Sequence, residues 1–341
     1  YELNEDVAAA YLMSTFERGG WRVLYGVRYE DTDFDAVGTR LVVDDVNGDG
    51  EAVLVPAPFE KSYDNWLPSL NVRWETGNLV FRGGATMTLA RPNFAELSPG
   101  GEIELEEDDG ETEVSAEIGN PELDPVESTN FDLGVEWYPG GVSVLSAGLF
   151  YKDIDNFILI ADVADQIDLE DLVGAPVDDA EVIQPINGDN AKLFGVELAA
   201  VKQFESGLYL SANGTYVDSE ARYPGRDGKD VMPRTPEWVL NGAVGWENRH
   251  VSVRLAVTYR DIALLGTEDL EDADFDIFQD EHTQVDLSAK WNITNQWQLA
   301  FAATNLTDEP FYSYFGNRSY NSQFEEYGRT YSLGIKYTPF Q

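Results

Sequence analysis

Large apolar side chains occupy every second position in several stretches of this chain. Residues 130–137 read Asn, Phe, Asp, Leu, Gly, Val, Glu, Trp, and the same period of two runs through residues 251–260 and 331–337. Successive side chains of an extended strand point to opposite faces. The pattern therefore predicts β-strands with one apolar and one polar face.

Thirteen such segments are predicted, and short turns alternate with long loops between them. The approximate bounds of the segments are residues 7–16, 21–31, 61–74, 79–91, 128–137, 142–161, 189–203, 208–217, 232–246, 251–261, 282–291, 297–305 and 324–338. Turns such as 17–20, 75–78 and 138–141 are rich in residues that accept turn dihedrals. The remaining connections are all much longer, which predicts that every long loop lies at one end of the sheet.

This arrangement favours a transmembrane β-barrel. Outer-membrane barrels have short periplasmic turns and long extracellular loops, whereas a soluble sandwich or propeller has no reason to separate them. No stretch of 18 apolar residues occurs that could span a membrane as a helix. The aromatic residues beside the short turns, where a ring can lie at the level of lipid headgroups, are Trp21, Trp74, Trp137, Tyr138, Trp246, Trp291 and Trp297. The predicted fold class is all-β, a transmembrane antiparallel β-barrel.

The composition excludes several kinds of functional site. Cysteine is absent and the only histidines are His250 and His282, which removes disulfides, thiolate metal sites and most histidine-based catalysis. The chain contains no Gly-x-Ser-x-Gly, no His-Glu-x-x-His and no phosphate-binding glycine loop, so no enzymatic activity is expected. The first residues lack a charged segment followed by an apolar run. We therefore expect that a leader was removed or that the chain begins partway through a longer protein.

Acidic residues are concentrated in the long loops. The chain has 63 Asp and Glu against 22 Lys and Arg, a formal net charge of −41, and the long loops hold −36 of it. Such a surface repels nucleic acid, which is excluded as a partner. Three interpretations stay open: a solvated face suited to salty water, which we favour, a surface that attracts cations or cationic ligands, or a docking face for a basic protein.

One acidic loop contains a string that resembles the start of a calcium-binding loop. The candidate oxygen ligands are Asp45, Asn47, Asp49 and Glu51, with Gly50 at a position that permits a sharp turn. Pro56 occupies the position of the closing bidentate carboxylate, so only an open Ca²⁺ site is expected. A flexible turn without metal explains the same residues.

Several motifs, in order along the chain, resemble those of TonB-dependent outer-membrane receptors. Those that resemble the family's long extracellular loop and the strand pair after it are Asn93-Phe-Ala-Glu-Leu-Ser-Pro-Gly100, Gly119-Asn-Pro-Glu-Leu-Asp-Pro-Val-Glu-Ser128, the stretch from Asn130 to Tyr138 and the stretch from Phe150 to Ile158. The later landmarks are Leu193-Phe-Gly-Val-Glu-Leu198, Pro233-Arg-Thr-Pro-Glu-Trp238, Asn305-Leu-Thr-Asp-Glu-Pro310 and Tyr327-Gly-Arg-Thr-Tyr331.

The resemblance implies energised import across the bacterial outer membrane. In that family a scarce nutrient binds the extracellular loops, and the TonB-ExbB-ExbD motor pulls on a plug inside a 22-stranded barrel. With thirteen strands predicted here, residues 1–341 are expected to be the C-terminal portion of such a barrel. The plug and the first nine strands are expected to lie outside this sequence.

The ligand candidates are an aromatic loop and two arginines of the predicted lumen. The proposed ligand-binding residues are Tyr312, Tyr314, Phe315, Arg318, Tyr320, Arg254 and Arg260. The loop rings are suited to stacking on a sugar or a siderophore, and equally to packing the loop itself. An acidic rim disfavours anionic chelates, although salt weakens the repulsion, so a neutral oligosaccharide or a neutral to cationic ferric siderophore is preferred. A passive porin, a structural or adhesive barrel and an outer-membrane enzyme are the alternatives.

Overall fold

The computed structural model of the chain describes residues 1–44, 51–108, 111–167, 177–226, 228–267, 270 and 272–339. These residues form 21 β-strands and two 3-10 helices, Ala164–Gln166 and Ala273–Phe275. Neither helix is long or apolar enough to cross a bilayer.

Thirteen strands form one continuous antiparallel sheet in chain order. They are β1 Glu2–Arg18, β2 Trp21–Asp44, β3 Glu51–Thr76, β4 Leu79–Ala90, β7 Val126–Trp137, β8 Ser143–Asp155, β11 Asn190–Gln203, β12 Leu208–Arg222, β13 Trp238–Glu247, β14 Val251–Arg260, β17 His282–Asn292, β18 Trp297–Thr304 and β21 Thr330–Tyr337. Each is hydrogen-bonded to the next in this series, with β1 and β21 at the two ends. The thirteen predicted segments correspond one to one with these strands, so the all-β prediction is confirmed.

Eight shorter strands lie at the end of the sheet that carries the long loops. The bounds of the first four are β5 Gly101–Asp108, β6 Glu111–Ile118, β9 Ile158–Asp162 and β10 Asp179–Asn187. They extend the main sheet, because β5 pairs in parallel with the upper end of β2 and β10 pairs with both β6 and β9. The other four, β15 Ala263–Gly266, β16 Ile277–Gln279, β19 Phe311–Phe315 and β20 Asn321–Glu325, form a separate sheet.

The main sheet presents one apolar face outward. On β14, Val253, Leu255 and Val257 are all exposed, and they pair in register with apolar or small residues of β13 and β17. Arg254 alternates with them and therefore lies on the opposite, polar face. The predicted facing of this strand, apolar residues toward lipid and arginines toward the lumen, agrees with this register.

The hydrophobic core lies in the layer of loops. Three clusters of buried apolar residues, centred on Phe157, Ile103 and Phe34, join the short strands to the upper ends of the long ones. The lower sheet has no equivalent among the described residues, because its apolar side chains face outward. Two environments therefore stabilise the chain, a lipid-facing wall and a water-excluded extracellular layer.

Three predicted boundaries were wrong. Residues 101–118, predicted as loop, form the β5–β6 hairpin, because Ile103 and Leu105 alternate with glutamates and are buried. The strands β2 and β3 extend through most of a predicted loop and reach 24 and 26 residues. The segment 142–161 is divided into β8 and β9 at Asn156, whose φ of 58° breaks the extended conformation.

Two short turns require glycine for a steric reason. Gly20 has a φ of +85°, and a Cβ there would lie 2.4 Å from the Glu75 carbonyl oxygen. Gly207 has a φ of +87°, and a Cβ there would lie 2.1 Å from the Glu247 carbonyl oxygen. In each case the backbone of the neighbouring hairpin passes too close for any side chain.

Candidate functional site

A cleft of about 640 Å³ opens at the loop end of the molecule. One wall is formed by Phe157 and the whole of β9, and the opposite wall comes from residues 232–234 and 265–267. Ser313 of β19 and Gln323 of β20 also line it. Together with Glu96 of the β4–β7 connection, these residues come from five separate insertions between the long strands.

Three carboxylates and one guanidinium line the cleft. Two of the carboxylates are committed to the backbone: the Asp162 Oδ1 accepts N–H bonds from Ala164 at 3.0 Å and Val182 at 2.9 Å, and the Glu96 Oε2 accepts one from Asn93 at 2.8 Å. Glu181 and Arg234 complete the set. In the part of the chain that the structure describes, neither of these two side chains has a partner.

Arg234 is held in an unusual backbone conformation. Its φ is 57°, which residues other than Gly, Asn and Asp seldom adopt, and its N–H donates to the Leu264 carbonyl at 2.6 Å. A left-handed residue of this kind costs about 1–3 kcal/mol and is concentrated at functional sites. The strained turn leaves the guanidinium exposed at the edge of the cleft.

Thr267 adds an unused polar group to the wall of the cleft. The residue is 6% exposed, and its Oγ1 is buried without a hydrogen-bond partner within the described residues. A buried hydroxyl without a partner costs about 1–3 kcal/mol. The side chain contributes to the wall of the cleft, but its oxygen is shielded from the cleft interior.

The predicted aromatic loop is only partly available to a ligand. Tyr314 is 7% exposed and its ring stacks on Phe278 at a centroid distance of 5.8 Å. Tyr312 contacts both Tyr314 and Phe324, and its hydroxyl donates to the Arg318 carbonyl at 2.6 Å. These rings pack the β15–β16–β19–β20 sheet. Tyr320, at 67% exposure, is the aromatic side chain of the predicted set that faces solvent most fully.

Two predicted arginines contact Asp280, one through its buried carboxylate and the other through its backbone carbonyl. Arg318 Nη2 lies 2.5 Å from Asp280 Oδ2, and Arg260 Nη2 donates to the Asp280 carbonyl at 3.2 Å. The other carboxylate oxygen of Asp280 is buried without a partner among the described residues. Burial and the Asp280 carboxylate also raise the pKa of the Tyr314 phenol.

The remaining predicted site residues lie apart from this cluster. Arg254 is six residues below Arg260 on β14, about 20 Å along the strand, where its guanidinium lies 6.0 Å from the Tyr209 ring centroid. Phe315 ends β19, where it pairs with Ile277.

The predicted calcium ligands cannot be placed together. Asp45, Asn47 and Asp49 lie outside the described residues, and the backbone of Glu51 pairs with Asp44 at the start of β3. In the described ranges, no group of three or more His, Asp or Glu side chains is positioned to hold a metal ion. Calcium binding stays a prediction.

A buried ion pair fixes the loops behind the cleft. The Arg226 guanidinium donates to both carboxylate oxygens of Asp276 at 2.8 and 2.9 Å, and also to Asp230 at 2.9 Å. The hydrogen bonds to Asp276 raise the pKa of Arg226. Burial raises the pKa of the adjacent Tyr223 phenol, whose hydroxyl donates to the Val231 carbonyl at 2.7 Å. These contacts connect the β12–β13 loop to the β14–β17 loop.

The family model described as TonB dependent receptor-like, beta-barrel matches residues 2–306. The chain belongs to this family of TonB-dependent receptors. It is therefore an outer-membrane β-barrel protein of a receptor and transporter family, not of an enzyme family.

A curated relative of this receptor chain is an iron-regulated outer membrane virulence protein of Vibrio cholerae serotype O1, found in the classical Ogawa 395 strain and in the El Tor N16961 strain. The identity is 23% over 282 residues, covering 81% of this chain and 40% of the relative. The chain thus spans less than half the length of the curated relatives it matches.

Solved structures show the same fold. A ferric enterobactin receptor of Pseudomonas aeruginosa superposes with a TM-score of 0.61 at 18% identity, over 98% of this chain and 54% of that one. The copper transporter OprC gives 0.69 at 15% identity, over 98% and 48%. The ferric yersiniabactin uptake receptor of Yersinia pestis gives 0.64 at 16% identity, over 99% and 46%. At these identities the likeness establishes the fold alone.

Sequence reasoning missed the residues of this receptor that line the cleft. Arg234 lies in the Pro-Arg-Thr-Pro motif, but a proline restricts the residue before it, here Thr235, so the motif gave no signal for the left-handed backbone of Arg234. Ser313 alternates with Tyr312 and Tyr314, so the period of two already placed it on the opposite face of β19. Glu181 and Thr267 carried no comparable signal.

Proposed function

We propose that this chain supplies part of the barrel of an importer that takes up a ferric siderophore through the cleft at its loop end. The cleft carries the proposal, because its volume of about 640 Å³ lies in the usual range of small-molecule sites, about 300–1,000 Å³. The names of the relatives support an iron chelate, since two of the solved neighbours are receptors for ferric enterobactin and ferric yersiniabactin and the Vibrio relative is iron-regulated.

The charge of the cleft favours a neutral or cationic chelate. Glu96, Asp162 and Glu181 outnumber Arg234, and the surrounding loops add further carboxylates. A ferric complex with several negative charges would be repelled at the cleft and at the rim. Arg234 would donate to an oxygen ligand of the chelate.

Uptake would be energised through the part of the receptor that this chain does not contain. The family resemblance implies a plug contacted by the TonB-ExbB-ExbD motor. The described chain would contribute the lumen wall, with Arg254 and Arg260 on the path below the cleft. A passive porin would instead conduct solutes without a proton-motive force.

A neutral oligosaccharide is the second candidate ligand. Tyr320, Phe324 and Tyr327 are 67%, 54% and 72% exposed, so three rings of one loop face solvent. Exposed rings of this kind stack on the apolar faces of sugars.

The ligand class is tested by titrating the full-length receptor that contains this chain with the cationic ferrioxamine B, the neutral ferrichrome, the anionic ferric enterobactin and maltoheptaose. We expect the first two to bind more tightly than enterobactin, and Arg234→Gln to weaken that binding about tenfold, because a charge-assisted hydrogen bond contributes about 1.5–3 kcal/mol. Arg249→Gln, in an exposed turn at the opposite rim, is the matched control.

Uptake of radiolabelled iron with and without a protonophore tests the energised mechanism. Import that continues after the proton-motive force is collapsed would support a porin. Tightest binding of maltoheptaose, weakened by Tyr320→Ala and not by Arg234→Gln, would replace the siderophore by an oligosaccharide. Tightest binding of ferric enterobactin would overturn the charge argument.

A further inference from the structure

A groove of about 880 Å³ crosses the outward, apolar face of five neighbouring strands, β7, β8, β11, β12 and β13. Its walls are large side chains, Trp137 and Leu145 at one end and Tyr216 and Trp238 at the other. Between them the register places Ala200 directly beside Ala212. The missing side-chain volume at these positions produces a depression in a surface that is otherwise covered by large residues.

The lower end of the groove lies at the periplasmic rim. Trp137 is the last residue of β7 and Leu145 is the third of β8, so both adjoin the short turn 138–142. Trp238 is the first residue of β13, next to a long loop, and its ring lies 4.8 Å from that of Tyr216. The groove therefore runs obliquely from the periplasmic rim toward the extracellular rim.

A cation lies just below the groove, on the same face. Lys202 is two residues beyond Ala200 on β11 and pairs with Ser143 and Leu210. Its ammonium lies 5.7 Å from the Phe204 ring centroid and the side chain is exposed. Within the described part of the chain, no carboxylate forms an ion pair with it.

The depth of this arrangement matches one leaflet of the bilayer. From Lys202 to Val196, at the upper end of the groove, is six residues, about 20 Å along β11. At a strand tilt of about 45° this covers about 14 Å of depth, near half of the roughly 30 Å hydrocarbon core. A lipid whose phosphate meets the ammonium would have its acyl chain alongside the groove.

We propose that this face binds an anionic phospholipid of the periplasmic leaflet, with the phosphate at Lys202 and an acyl chain in the groove over Ala200 and Ala212. The ammonium supplies the preference for a negatively charged headgroup, and the apolar floor supplies the affinity for the chain. Lipid that surrounds a barrel without a specific site requires neither a groove in the sheet surface nor an unpaired cation at the lower end of that groove.

The test is native mass spectrometry of the full-length receptor that contains this chain, after exposure to nanodiscs of phosphatidylglycerol and phosphatidylcholine in equal amounts. We expect one phosphatidylglycerol to be retained through delipidation. Ala200→Leu with Ala212→Leu should fill the groove and lower retention at least tenfold. Lys202→Gln should keep lipid in the groove but lower the preference for phosphatidylglycerol about fivefold, the effect of one cation near a headgroup.

The matched control is Ala289→Leu, which enlarges a small side chain on the same outward face of β17 between Val253 and Phe301. Equal retention in the groove-filled and control variants would overturn the proposal, as would a phosphatidylglycerol preference that Lys202→Gln leaves unchanged. A stable dimer that dissociates when the groove is filled would assign this face to a second copy instead. If the double variant does not assemble, Ala212→Leu alone makes the same comparison.

Discussion

The two tyrosines of the predicted ligand loop have different roles because their environments differ. Tyr314 is buried against Phe278, whereas Tyr320 projects into solvent. Tyr314→Ala should therefore loosen the four-stranded loop sheet by about 3 kcal/mol, as expected for removal of a buried aromatic ring. Tyr320→Ala should change loop stability by less than about 0.5 kcal/mol.

Hydrogen exchange on the β15–β16–β19–β20 sheet distinguishes the two variants of this first prediction. Exchange should rise in Tyr314→Ala and stay unchanged in Tyr320→Ala. Ligand titration should show the opposite contrast for any ligand that stacks on the loop, with a loss of about 1 kcal/mol in Tyr320→Ala alone. Equal exchange in both variants would mean that the Tyr314 ring does not support the loop sheet.

Tyr223 makes the extracellular layer sensitive to alkaline pH. Burial raises the pKa of its phenol, with Asp230 and Asp276 acting in the same direction. Because the folded pKa lies above the unfolded value of about 10, the stabilisation is fully present below pH 10 and is lost as the pH rises through the folded pKa. We expect the loops around Tyr223 to open earlier than the barrel wall as the pH is raised above about 10.

Limited proteolysis between pH 8 and pH 11 measures this opening. Tyr223→Phe should abolish the pH dependence of cleavage in the β12–β13 loop, while the lost hydrogen bond to the Val231 carbonyl lowers stability below pH 10 by about 1 kcal/mol. Cleavage that accelerates identically in the wild type and in Tyr223→Phe would assign the transition to another group.

At the scale of single elements, β6 brings like charges together. Glu113 lies opposite Glu106 of β5 and Asp179 of β10, on the face of the hairpin that is turned away from the core. Directly opposed like charges in a sheet are destabilising by a few tenths of a kcal/mol to about 1. Glu113→Gln should therefore stabilise this region by about 0.5 kcal/mol at low salt.

The salt dependence of thermal unfolding checks this third prediction. The gain should disappear at about 1 M salt, where the Debye length falls to about 3 Å. Glu205→Gln, in the periplasmic turn between β11 and β12, removes an acid elsewhere and should leave the salt dependence unchanged. A gain in Glu113→Gln that persists at high salt would point to packing rather than repulsion.

The β5–β6 hairpin shows which parts of the fold were predictable from the sequence and which were not. The thirteen long strands were predictable because lipid on one side and water on the other impose a strict period of two. The period is equally clear in Glu102 to Leu105 and in Thr112 to Ile118, but the high charge density made that segment resemble a solvated loop. Burial of Ile103 and Val114 depends on contact with Val182 of β10, which is far away in sequence.

The candidate site was less predictable than the strands for a related reason. Tyr312 and Tyr320 were identifiable as aromatic residues in a loop, but only the packing shows that one supports the loop and the other faces solvent. Arg234 and Thr267 meet at the cleft because separate insertions converge there. The sequence of any single loop does not reveal which other loops it contacts in the fold.

At the scale of the whole molecule, two different solvents stabilise the two ends of the chain. Toward the periplasm the sheet has its apolar side chains in lipid, so every backbone group there must be paired within the sheet. Toward the cell exterior, buried clusters and the Arg226–Asp276 pair hold the loops together in water. Loss of a loop contact should therefore open the cleft without unfolding the main sheet, whereas loss of a strand should prevent assembly of the barrel.

Truncation of the last strand tests this distinction. β21 pairs with β18 along its whole length, from Trp297 opposite Tyr337 to Thr304 opposite Thr330. Deleting residues 331–341 from the full-length receptor would leave the β18 backbone groups unpaired in hydrocarbon, at several kcal/mol for each group. Heat-modifiable migration on SDS gels should show no folded barrel in the outer-membrane fraction.

Replacing the loop residues 317–320 by a Gly-Ser segment of equal length is the matched control and should preserve assembly, because those residues lie outside the wall. Normal folded yield after the deletion would mean that β21 is dispensable for assembly, in contradiction to its place in the sheet.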